Sequence, residues 1–336
     1  MTDIELTIPT TTATGDLTLA ATLTIADGAP GPAALLISGS GPIDRNSDAK
    51  RLPIGVMGRI AATLADHGIA SLRYDKRGVG GSGGDYLSTG FQDNVADARA
   101  ALEVLLARPD VDPTRITVIG HSEGALIASA LGDDERVAGV ALLAGTTRNG
   151  RDLLTWQAEQ VAPTLPTPVR WLLKLLRQDL VRTQRKRLDR IETSTDDVIR
   201  IQLVKLNARW FREFMAFEPT EALARVAVPV LALTGSKDIQ VPPDDVREMW
   251  RHVPTPVTGE VVVDVSHLLR NEPGPPTVRT YKKQARQPLD ERLLALLVEW
   301  TAPASAESDT STASTASTGE TERQPAGSRS TAQADV

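Results

Sequence analysis

Hydrophobic and polar positions change period several times along the chain, and each change marks an element. Residues 4–9 and 17–26 alternate apolar and polar side chains, the period-two pattern of strands with one covered face. A turn at Gly15 and Asp16 would join them as an antiparallel hairpin. After the breaker run Gly28-Ala29-Pro30-Gly31-Pro32, residues 33–37 are apolar without interruption, as in a strand buried on both faces of a parallel sheet. A helical period then covers residues 54–65, a strand follows at 69–74, a helix at 91–107, a strand at 116–119, a helix at 125–131 and a strand at 137–143. The alternation resumes with a strand at 228–233, a helix at 242–251 with proline in its first turn, a strand at 260–264 and an amphipathic helix at 289–300.

Strands alternating with helices build βαβ units, and hence an α/β fold with a mostly parallel sheet flanked by helices. Between residues 146 and 226 the strand pattern stops. Trp156, Trp171, Leu172, Leu175, Leu176, Leu180 and Trp210 are instead interleaved with Arg170, Lys174, Arg177, Arg185, Lys186 and Arg187, which predicts amphipathic helices with a solvated charged face, the alternative being a specialised anionic or membrane-binding surface. Beyond Trp300 the chain is Ser, Thr, Ala, Glu and Gly with almost no large apolar residue, too little to offset the entropy of ordering it. The expected organisation is a core of residues 1–145 and 227–301, a helical cap inserted at 146–226 and a disordered low-complexity tail at 302–336.

Composition narrows the chemistry. Hydrophobic residues make up 41% and charged residues 24% of the 336, the balance of an ordinary globular enzyme. A net charge of −6 disfavours a nucleic-acid partner, since that affinity rests on Lys and Arg neutralising phosphates. With no cysteine the chain has no disulfide, thiolate metal site or thiol nucleophile, and serine becomes the natural candidate. The N-terminus alternates rather than carrying a basic and then apolar leader, and no apolar run reaches the length of a membrane span, so a cytoplasmic protein is expected. Homo-oligomerisation is left open.

Ser122 lies in Gly120-His121-Ser122-Glu123-Gly124, which ends one predicted strand and opens a predicted helix. A serine hydroxyl is a weak nucleophile and needs a base, an acid to orient that base and donors for the developing oxyanion. The flanking glycines let backbone pass close to a strained strand-to-helix turn. On this motif in this context, the chain from about Leu17 to Trp300 resembles the α/β-hydrolases. The resemblance implies the order serine, acid, histidine. Asp238, in the loop after the strand at 228–233, matches the family's acid, and His267, after a late strand, its base. The other histidines have simpler roles: His67 at a helix end, His121 on the elbow with its ring turned from the hydroxyl, and His252 closing a helix before Pro254. Asp244 and Asp245 read better as groups at a helix start.

The segment Ser38-Gly39-Ser40-Gly41-Pro42, continuing through Asp44 and Arg45, resembles that of one subgroup, the Ser-Gly-Ser-Gly-Pro esterases. It implies the backbone amides of Ser40 and Glu123 as oxyanion donors, with Asp44 and Arg45 bracing the loop or touching substrate. The Glu123 carboxylate is a further specificity candidate. Gly78-Val79-Gly80-Gly81-Ser82-Gly83 fits a dinucleotide fingerprint, but no helix opens directly after it. It resembles the Asp-x-Arg-Gly-x-Gly-x-Ser loop of α/β-hydrolases instead, so neither a cofactor nor a metal is expected. The expected function is a serine esterase acting on small or medium acyl groups of a small-molecule ester. An acyl thioesterase or peptidase of the same fold, or a non-catalytic ligand-binding protein, are the alternatives.

Overall fold

The computed structural model describes residues 1–12, 15–26 and 30–301; the expected disordered tail lies outside the described residues. Eight strands form one sheet: β1 (Thr2–Thr12), β2 (Gly15–Ile25), β3 (Gly31–Ile37), β4 (Ala70–Tyr74), β5 (Val111–His121), β6 (Gly139–Leu143), β7 (Val230–Gly235) and β8 (Val257–Val262). Their order across the sheet is β1-β2-β4-β3-β5-β6-β7-β8. The first pair is antiparallel, β2 meets β4 antiparallel, and every pairing from β4 to β8 is parallel. This is the α/β-hydrolase arrangement the sequence led us to expect.

The helices are α1 (Val56–Asp66), α2 (Phe91–Leu106), α3 (Glu123–Leu131), α4 (Gly150–Val161), α5 (Thr167–Leu175), α6 (Leu180–Glu192), α7 (Ala208–Ala216), α8 (Pro219–Ala224), α9 (Asp245–Met249), α10 (Tyr281–Gln284) and α11 (Glu291–Thr301). The unbroken apolar run of β3 is explained by its two covered faces. Ala33, Leu35 and Ile37 join Phe91 and Leu102 of α2 and Ile127 of α3 in one core layer. Ala34 and Leu36 join Met57, Ile60 and Leu64 of α1 and Leu293 and Leu297 of α11 in the other. None of the helices described is long and apolar enough to cross a membrane.

Three expectations are corrected. Gly15 and Asp16 are not the hairpin turn but the first residues of β2, paired with Thr12 and Thr11, because the strand alternation runs to the end of the threonine run. The helix expected at 242–251 is confined to Asp245–Met249, and the following strand lies at 257–262 rather than 260–264. The segment 146–226, expected to be a helical cap, is not wholly helical: Val198–Ile201 pairs with Val204–Asn207 in a hairpin whose turn residues Gln202 and Leu203 have positive φ. Ile199 and Ile201 of that hairpin pack on the satellite core of Leu188, Ile191, Ala208 and Met215, and four-residue strands are too short to announce their period in the sequence.

The chain leaves β3 toward β4 on one side and returns to add β5 on the other. The reversal makes the carboxyl ends of β3 and β5 the sheet's switch point, where ligands bind in open α/β folds. The Ser38–Arg45 loop follows β3 and Ser122 follows β5.

Candidate active site

Ser122 caps α3 with φ 58° and ψ −117°, a conformation costly for a non-glycine residue, of the order of 1–3 kcal/mol. Its amide is tied back to the Leu143 carbonyl at 2.9 Å. The flanking glycines are obligatory for a measurable reason. A Cβ on Gly120 would sit 1.9 Å from the Gly124 carbonyl oxygen, and one on Gly124 would sit 2.1 Å from that of Ile37.

Three residues far apart in the chain meet at this elbow. His267 Nε2 lies 3.2 Å from Ser122 Oγ, and His267 Nδ1 lies 2.8 Å from Asp238 Oδ2. The second oxygen of Asp238 accepts the Gln240 and Val241 amides at 2.7 and 2.9 Å, which fixes the carboxylate's orientation. His267 and Asp238 are both buried. His121 faces away from the hydroxyl. Its Nε2 donates to the His267 carbonyl at 2.9 Å, and burial drives its pKa down to about 3, so the ring stays neutral. His67 bonds the Thr63 carbonyl and His252 lies beside Glu248, both away from the elbow.

Ser40 and Glu123 line the same small cavity as Ser122, about 60 Å³ in volume, with Leu126, Leu153, Leu154, Phe214 and Val241 as apolar walls. Glu123 is the first residue of α3, so its amide has no partner within the helix. Its carboxylate is buried at the cavity wall. Lys76 Nζ donates to one oxygen at 3.0 Å, and Asn94 Nδ2 and Trp210 Nε1 donate to the other at 2.9 and 3.0 Å. Lys76 also donates to the Gly39 carbonyl at 2.7 Å. In a trans peptide the carbonyl and the following N–H point opposite ways, so this grip also sets the direction of the Ser40 amide.

Asp44 and Arg45 do not line the cavity. Asp44 accepts the Asn46 and Asp48 amides, forming the turn after the loop. Arg45 forks onto Asp75 with contacts of 3.1 and 2.9 Å and reaches Glu5 and Thr22 on the antiparallel strands. Burial pushes the Asp75 carboxyl up, but the bonds from Arg45 and the Gly81 amide outweigh it and hold the pKa below the ordinary value. Asp245 is no simple helix cap, since its carboxylate accepts from Thr146 and the Thr147 amide and so fastens the segment between β6 and α4.

The glycine run closes a loop rather than opening a helix: Gly83 N bonds the Thr18 carbonyl, and a short 3₁₀ turn at Tyr86–Ser88 precedes α2. A Cβ on Gly80 would sit 2.2 Å from Asp75 Oδ2.

A model of the family described as serine aminopeptidase, S33 matches residues 53–274, well over half of the chain. The chain belongs to the S33 family. The span matched includes Ser122, Asp238 and His267 but starts after the Ser38–Arg45 loop. This S33-family chain is 26% identical over 275 residues to esterase EstD of Thermotoga maritima, an alignment covering 81% of this chain and 62% of that esterase. The chain thus spans less than two thirds of that relative. Among solved structures it shares its fold with the α/β hydrolase GrgF of Penicillium sp. sh18, at 19% identity and a TM-score of 0.55 over 80% of this chain and 92% of that one. It is similar in the same way to Est1E of Butyrivibrio proteoclasticus, solved with ferulic acid bound, at 16% identity and a TM-score of 0.55 over 85% and 93% of the two chains.

Sequence reasoning gave no role to two buried cations in this S33 chain, Lys76 and Arg270. Asp75, Lys76 and Arg77 follow one another at the end of β4, and each is buried against a different partner: Arg45, Glu123 and Asp97. The signal was three successive charges directly after a buried strand. Arg270, fully buried, donates to the carbonyls of Leu268, Gln287 and Ile54 and so clamps the loop that carries His267. No pattern in the sequence marks it.

Proposed function

We propose that the protein is a serine ester hydrolase. The observation that carries this reading is the continuous hydrogen-bonded chain from Ser122 Oγ through the His267 ring to Asp238, on a strained elbow. His267 Nε2 takes the Ser122 proton as Oγ attacks the acyl carbon, and Asp238 holds the imidazole's tautomer and offsets its positive charge. The oxyanion forms between the Ser40 and Glu123 amides, with Lys76 fixing the first of them through the Gly39 carbonyl. His267 returns its proton to the departing alcohol oxygen as the ester bond breaks. Water, deprotonated by the same imidazole, then cleaves the acyl-enzyme and restores Ser122. Asp44 and Arg45 act only by bracing the loop.

The insertion serves as a cap, since Leu153, Leu154, Trp210 and Phe214 all come from it and wall the cavity. A volume of about 60 Å³ is small beside the ~300–1,000 Å³ of pockets that enclose drug-sized ligands. It supports a short acyl group. Aminopeptidase action, the family's description, would call for an anion to receive a substrate ammonium. Glu123 supplies the carboxylate at the cavity wall, and Lys76 already neutralises it. That favours an uncharged ester, in line with the esterase activity of the Thermotoga relative. A p-nitrophenyl ester series of rising chain length, run beside acyl-CoA and aminoacyl p-nitroanilide substrates, tests this. Acetate and butyrate esters should be turned over fastest; preferred cleavage of the anilides would overturn the ester reading.

A further inference from the structure

Among the described residues, nothing buries the apolar face of α5. In α5, Val169, Leu172 and Leu173 and the capping Leu176 recur at i, i+3, i+4 and i+7, and Trp171 and Leu175 widen the apolar face beyond half the circumference. None of the helix's residues is buried; Trp171 is 65% and Leu175 62% exposed. Apolar side chains grouped in this way on a surface mark an interaction site. The narrow polar stripe consists of Arg170 and Lys174, with Arg177 just beyond the helix end. Residues 167–192 carry eight Lys and Arg against three Asp and Glu, although the whole chain has a net charge of −6. Arg170, Lys174 and Arg177 pair with no carboxylate among the described residues.

From this pattern we propose that α5 docks the protein on a membrane surface bearing anionic phospholipids. The apolar side enters the acyl boundary, Trp171 sits where the apolar face meets the polar stripe, and the basic stripe meets the headgroups. Screening confines the field at physiological salt to about 8 Å, so the local cations outweigh the distant net negative charge. A second copy is a poor occupant, because it would cover the apolar side but leave the basic stripe, which lies opposite that side on the helix, without a partner. The segment at 302–336 is also poor, having no Leu, Ile, Met or aromatic residue with which to cover the face. The proposal is independent of the ester-hydrolase reading.

The test is flotation of the full-length protein with phosphatidylcholine vesicles, with and without phosphatidylglycerol. The protein should float with the anionic vesicles only, and added salt should release it. Trp171→Ser with Leu175→Ser should abolish binding. Arg170→Gln with Lys174→Gln and Arg177→Gln should weaken it about 100-fold, taking roughly tenfold or less per cation near an anionic surface. These exposed changes should leave the melting temperature unchanged, which separates lost docking from lost folding. Failure to float, equal binding to neutral vesicles or insensitivity to the serine variants would each overturn the proposal. So would a dimer, seen by light scattering, that Leu175→Ser dissolves, or equal affinity for soluble polyglutamate.

Discussion

Replacing Lys76 with methionine separates two jobs that one side chain performs. In the wild type its ammonium holds both the Gly39 carbonyl and the Glu123 carboxylate. Lys76→Met removes both contacts and strands a buried carboxylate on two remaining donors, Asn94 and Trp210. Breaking a buried ion pair in this way costs about 3–5 kcal/mol, a large share of the ~5–15 kcal/mol that stabilises a typical domain. Adding Glu123→Gln takes away the uncompensated charge while keeping an oxygen for Asn94 and Trp210, so most of that stability should return. The Gly39 peptide stays unclamped in both variants. Deleting an oxyanion donor outright costs roughly 10²–10³ in kcat, and an amide that is loosened rather than deleted should cost about 10–100-fold. KM should change little, because the interaction is made in the transition state. The assay pairs urea denaturation with steady-state hydrolysis of a short p-nitrophenyl ester. Recovered stability with kcat still depressed is expected. Wild-type kcat in the double variant would refute the positioning role of Lys76 and leave it a structural cation.

Other outcomes follow from the same geometry. Asp238→Asn should lower kcat by several orders of magnitude with little change in melting temperature, since Asn keeps an acceptor for the Gln240 and Val241 amides; activity near wild type would remove Asp238 from the relay. Gly124→Ala should abolish soluble expression, because its methyl would occupy the space of the Ile37 carbonyl; a stable, soluble variant would contradict the packing described. Arg270→Met leaves three carbonyls without their donor and should cost about 3 kcal/mol or more, measured by chemical denaturation. His121 binds a proton far less readily folded, at about 3, than unfolded, at ~6.5. Its contribution is therefore whole above pH ~6.5 and is lost as pH falls toward 3, by about 2 kcal/mol at pH 5. Melting curves of wild type and His121→Gln from pH 7 to pH 4 should converge as pH falls; parallel curves would sink the assignment.

The sheet was legible because its strands are buried on both faces or alternate cleanly, and the elbow because Gly120 and Gly124 have no substitute at their positions. Where structure is set by contacts distant in sequence, legibility failed. The hairpin at 198–207 is held by Leu188 and Met215, on either side of it in the chain, and its four-residue strands carry too few periods to read. Lys76 could be seen as a charge in a loop, but not as the partner of Glu123, because the pairing depends on β3, β4 and α3 converging. Arg270 is invisible for the same reason: its acceptors are backbone carbonyls, and backbone leaves no residue type to recognise. The sequence allows Arg45 either role, substrate contact or brace, because its partner Asp75 is thirty residues away and only the fold brings the two together.

The central claim is that Ser122 is the nucleophile. Treating the full-length protein with a fluorophosphonate probe and mapping the adduct by mass spectrometry tests it directly, with Ser122→Ala as the control. The account predicts one adduct, on Ser122, with ester hydrolysis lost in step with labelling and both absent from the variant. Full hydrolysis by Ser122→Ala, or a wild type that resists the probe while turning over ester, would contradict it.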